Sequence, residues 1–82
     1  MTRFEQKKLD VEFNRFAKMN FDKPQRCKNI DQIRYYMNEL SSKISELKRS
    51  FNYVPSDAHI LLSQYNAAQN RIIHRNFHQT YS

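Results

Sequence analysis

The sequence predicts an all-α fold: a long antiparallel helical hairpin with an N-terminal helix packed on it, a three-helix bundle. Three observations lead there. Between Asn29 and Phe51, the residues Ile30, Ile33, Met37, Leu40, Ile44, Leu47 and Phe51 follow one another at spacings of 3, 4, 3, 4, 3 and 4, an unbroken heptad stripe on one helix. Glycine is absent from all 82 residues, which removes the residue that tight β-hairpins and phosphate-cradling loops depend on. The two prolines, Pro24 and Pro55, interrupt the helical periodicity and divide it into three stretches.

The first helix is expected at about residues 3–20. Thr2 and Glu5 form a capping-box pattern at its start. Leu9, Phe13, Phe16 and Ala17 make its core stripe. Phe4 and Val11, seven residues apart, fall on the opposite side among Lys7, Lys8, Arg15 and Lys18. That helix thus carries one apolar face for a core and a second face that is basic and apolar at once.

Residues 21–28 read as a connector, because Pro24 blocks helix continuation and pushes Lys23 towards extended geometry. Lys23, Arg26 and Lys28 make it basic, and Cys27 reads as an incidental loop thiol. The central helix is expected at about 30–51, capped by Asn29 with Gln32 completing a second capping box, and with Glu39 and Lys43 as an i,i+4 ion pair. The last helix is expected at about 57–78, its core side formed by Ala58, Leu61, Leu62, Tyr65, Ala68, Ile72 and Ile73, with Ala67 and Ala68 allowing close helix approach. The short link around Pro55 makes the two long helices antiparallel neighbours. Residues 1–82 form one domain; the heptad stripe is expected to be satisfied within the chain as a monomer, with a homodimer as the alternative.

Composition narrows function by exclusion. Fourteen Lys and Arg against eight Asp and Glu give a net charge of +6. Small basic proteins of this kind bind nucleic acid, acidic proteins or anionic membranes. Residues 1–29 hold eight Lys/Arg against four acids, and residues 30–82 hold six against four, so the excess is concentrated in the first helix and the connector. The charged N-terminus is unlike a signal peptide, and no run approaches the roughly 20 apolar residues of a membrane span, so a cytoplasmic location is expected. The sequence has no Ser-nucleophile elbow, Cys-x-x-Cys or His-Glu-x-x-His, and no acid stands at a recurring catalytic spacing from a histidine. No enzyme activity, cofactor, metal or small-molecule substrate is therefore expected. His74 and His78 are four residues apart, but two histidines fall short of the four ligands that zinc takes.

Two surfaces remain as binding candidates. One joins Lys7, Lys8, Arg15 and Lys18 of the first helix to Lys23, Arg26 and Lys28 of the connector. The other is a strip on the last helix, Arg71, His74, Arg75 and His78, at i, i+3, i+4 and i+7. Phe4 and Val11 are candidate protein-interface residues. Glu39–Leu47 with the later Tyr65-Asn66 resembles helical hairpins of splicing-factor proteins, although the loop lengths differ and no residue role is carried over. In composition alone the chain resembles small bacteriophage accessory proteins. The leading expectation is a basic, non-catalytic helical regulatory protein that acts on nucleic acid or on a nucleic-acid-bound machine. The alternative is a protein–protein adaptor or inhibitor that docks through the first helix and the heptad face, with an acidic protein as partner.

Overall fold

The computed structural model describes residues 2–81, with side chains described through residue 75. Three helices, α1 (Arg3–Asn20), α2 (Ile30–Phe51) and α3 (Ser56–Tyr81), follow in order, with a single 3-10 turn, Pro24–Arg26, between the first two. Among the described residues there is no strand, and the molecule is an elongated body of 55 × 20 × 17 Å.

Local chemistry sets the boundaries. The Thr2 hydroxyl accepts from the Glu5 N–H at 3.2 Å and opens α1, which ends where the Phe21 N–H bonds the Ala17 carbonyl. At the start of α2, Asn29 Oδ1 takes the Asp31 N–H at 2.8 Å. Gln32 does not reach back to complete the expected box; its amide donates to the Tyr36 hydroxyl at 3.1 Å, one turn along. Asn52 closes α2 in the left-handed region, φ 52° and ψ 34°, with its N–H on the Lys48 carbonyl. In a chain without glycine, asparagine is the residue best able to take that conformation. The first bond of the next helix runs from the Ala58 N–H to the Pro55 carbonyl, so α3 begins at Ser56, one residue before its expected start.

Three hydrogen bonds fix the topology. Tyr53 donates to Asp10 at 2.8 Å, Asn14 to Asp57 at 3.0 Å, and Tyr65 to the Asp22 carbonyl. Each spans 43 positions. A constant difference in residue number means that α1 and the connector run parallel to the segment from the α2–α3 loop into α3. Since α2 and α3 are joined by a four-residue link and pack as a hairpin, the bundle is up-down-up.

The core is built from Phe13, Cys27, Ile33, Leu40, Leu47, Ala58, Tyr65 and Ala68. One heptad position of α2, Ile33, Leu40 and Leu47, is buried, while Ile30, Met37 and Ile44 are half-buried. Phe51 departs from expectation: it is 48% exposed, because it sits in the last turn, where the chain leaves the bundle. Ile73 departs likewise, at 43% exposed. The Tyr36 and Tyr65 rings meet at 5.6 Å, so the antiparallel register brings Ile30 level with about Arg71, and α3 beyond that point has no α2 beside it. Ala68 lies inside, whereas Ala67 faces out.

Rings tie the elements together. Phe16 meets Phe21 at 5.6 Å, and Phe21 meets Tyr36 at 5.4 Å and Tyr65 at 6.3 Å, all edge-on. One side chain from each of α1, the connector, α2 and α3 is thereby in one cluster. Lys43 lies 4.9 Å above the Phe16 ring and 3.9 Å from Glu46, so the ion pair expected with Glu39 is replaced by a cation–π contact and an i,i+3 pair. Cys27 is 3% exposed and belongs to the core, a correction to its reading as an incidental thiol. Burial, and next the Asp22 charge, push its pKa up, so it stays a neutral thiol.

Candidate nucleic-acid interface

Of the basic residues singled out in the sequence, eight line three hollows, two of which share Gln25, while Arg26 and His74 line none of them. On the outer face of α1, Phe4, Lys7, Lys8, Val11, Glu12 and Arg15 line a shallow hollow. Phe4 is 78% and Val11 52% exposed, as expected of a face turned away from the Leu9–Phe13–Phe16 stripe.

Lys18 leaves that group and joins Lys23 on the rim of a second hollow of about 360 Å³, between the connector and α3. Its lining is Ala17, Phe21, Pro24, Leu61 and Tyr65, with Asp22, Gln25 and Gln64 around them. Pro24 builds this wall, because its ring starts the 3-10 turn and is itself buried.

The third hollow, about 410 Å³, brings together residues that the sequence holds far apart: Gln25, Cys27 and Lys28 from the connector, and Arg71, Ile72 and Arg75 from α3. Lys28 and Arg71 are separated by 43 positions, the offset of the three hydrogen bonds that set α3 beside the connector. Arg71 and Arg75 stand one turn apart on the same face of α3. No carboxylate is among the described lining residues. Glu12 opposes the cations of the first hollow and Asp22 those of the second, so the third concentrates positive charge most. The single ion pair among the described residues is Lys43–Glu46, which leaves Lys28, Arg71 and Arg75 uninvolved in any. Like charges gathered this way repel unless an anion lies between them, and a guanidinium pair offers forked donors that match phosphate oxygens.

Arg26 is exposed and lines none of the three. His74 is exposed and is not among the described lining residues of the third hollow, and His78 lies outside the residues whose side chains are described. The α3 strip is therefore described through Arg71 and Arg75, which turn towards Lys28. Gln25, shared by the second and third hollows, escaped the sequence reading, since a neutral amide in a connector carries no periodic or charge signal. Among the described residues no three His, Cys, Asp or Glu side chains come together to hold a metal ion, and no helix is long and apolar enough to cross a membrane. No protein-family model matches the chain, nor does any curated protein or any solved structure.

Proposed function

We propose that the protein is a non-catalytic nucleic-acid-binding protein that grips the phosphate backbone, acting on nucleic acid or on a machine bound to it. The observation that carries this reading is the meeting of Lys28, Arg71 and Arg75 around one hollow with no carboxylate among its described lining residues. Lys23 and Lys18 extend the cations along the neighbouring hollow towards α1. Phosphate contacts by Lys and Arg supply affinity without sequence choice, and they make it fall steeply with salt. Fluorescence anisotropy with a labelled oligonucleotide across a salt series tests it. A log–log slope that is steeply negative, and that flattens by about one for each of Lys28→Gln, Arg71→Gln and Arg75→Gln, is the expected result. Binding indifferent to salt overturns it.

A second reading has its own observation. Phe4 and Val11 are exposed about two turns apart on one face of α1 among Lys7, Lys8 and Arg15, a pattern that fits an acidic amphipathic helix better than a bare phosphate chain. On that reading the protein is an adaptor or inhibitor with an acidic protein partner, and α1 is its docking surface.

A further inference from the structure

We infer that the nucleic acid is taken as a single strand, with a phosphate in the hollow of Lys28, Arg71 and Arg75 and the adjoining base in the hollow beside it, against the half-buried Phe21 and Leu61. This rests on the phosphate-binding reading and deepens it by naming the form of the ligand.

The two hollows differ in chemistry and share a wall. One is ringed by three cations. The other is floored by apolar and aromatic atoms. Gln25 belongs to both. A nucleotide has the same division, an anionic phosphate joined to a flat apolar ring system with polar edges. At about 360 and 410 Å³ each hollow lies at the small end of ligand clefts, suited to one group apiece. The side chain of Gln25 stands between them with both a donor and an acceptor for a base edge.

A duplex cannot use this arrangement. Its bases are stacked and paired inside, and reaching an apolar wall requires turning one out at a cost of a few kcal/mol. An unpaired strand offers its base faces freely, and recognition of single strands combines a cationic track with a surface for stacking.

The test is anisotropy of the full chain with three labelled probes of about 20 nucleotides: a mixed-sequence single strand, its duplex, and the same strand with abasic sites throughout. The single strand is expected to bind about tenfold tighter than the duplex and than the abasic strand. Gln25→Ala, an exposed position that leaves the core intact, is expected to weaken the intact strand and leave the abasic strand unchanged. Arg71→Gln with Arg75→Gln is expected to weaken all three. Equal, salt-sensitive affinity for all three probes overturns the single-strand inference and leaves phosphate binding standing. Absence of binding to any probe at low salt overturns both.

Discussion

The Tyr65 hydroxyl donates to the backbone carbonyl of Asp22, so the largest fully buried side chain of α3 is anchored to the connector. The ring packs against Phe21 and Tyr36, and its one polar atom is satisfied inside the core. Two substitutions separate these contributions. Tyr65→Phe keeps the ring and loses the bond, and should cost about 0.5–1.5 kcal/mol. Tyr65→Ala removes the ring as well and should cost about 3–5 kcal/mol, a large part of the stability of a domain this small. Urea unfolding followed by circular dichroism reads both. Equal losses would show that the ring contributes nothing beyond the hydroxyl.

The same residue predicts alkaline sensitivity. Burial, first, and then the neighbouring Cys27, Tyr36 and Asp22 push the Tyr65 phenol well above its ordinary range. With the folded value above the unfolded one, the stabilisation is complete below about pH 10 and is lost as pH rises past it, because the unfolded chain releases the proton more readily. Helical signal should therefore fall above about pH 10, and less steeply in Tyr65→Phe. Tyr53 is raised chiefly by its hydrogen bond to Asp10; it is half-buried in the α2–α3 link rather than in the core, so it should ionise late with less effect on helical signal than Tyr65. Tyrosinate absorbance recorded alongside circular dichroism distinguishes the two. Parallel alkaline unfolding of wild type and Tyr65→Phe would remove Tyr65 as the cause.

The heptad stripe of α2 should be graded in its energetics. Leu40 is fully buried, so Leu40→Ala should cost about 2–5 kcal/mol. Ile44 is half-buried and should cost less, while Phe51→Ala, at 48% exposure, should cost under about 1 kcal/mol. With Ile33, Leu40 and Leu47 covered inside one chain, the melting temperature should not change on dilution. A melting temperature that climbs with concentration would place part of the stripe between chains.

These elements show where the sequence is transparent. A regular stripe such as Ile33–Leu40–Leu47 announces both the helix and its inner face, since burial repeats with the helical period. Thr2 and Asn29 announce helix starts through chemistry local to four residues. Cys27 was opaque, because a connector without periodicity gives no inside or outside. Lys43 was opaque because its choice between Glu39, Glu46 and the Phe16 ring depends on where α1 docks. The site was half legible. Its cations were visible one by one, yet the meeting of Lys28 with Arg71 and Arg75 follows from the register between connector and α3, a tertiary quantity with no local signature. Gln25 gained its position from the same register.

That register also supplies the comparison that decides between phosphate binding and docking to a protein. Three sets of substitutions divide two surfaces by place and chemistry: Lys28→Gln with Arg71→Gln and Arg75→Gln in the third hollow, and, on the α1 face, the cations Lys7→Gln with Lys8→Gln and Arg15→Gln or the apolar pair Phe4→Ala with Val11→Ala. All of these side chains lie at exposed positions outside the core, so each variant should stay folded. If phosphates are the ligand, the first set should weaken oligonucleotide binding most and flatten its salt dependence by about three, one for each cation lost. The second set should have a smaller effect of the same kind, because Glu12 already offsets part of its charge. The third should have almost none, since backbone contacts need charge and gain little from apolar area. An adaptor reverses the order. Phe4 and Val11 then act as anchors whose loss speeds dissociation from the acidic partner, and the lysines around them chiefly change the association rate. Oligonucleotide binding that ignores the first set but collapses with Phe4→Ala would overturn the phosphate reading and leave α1 as the working surface.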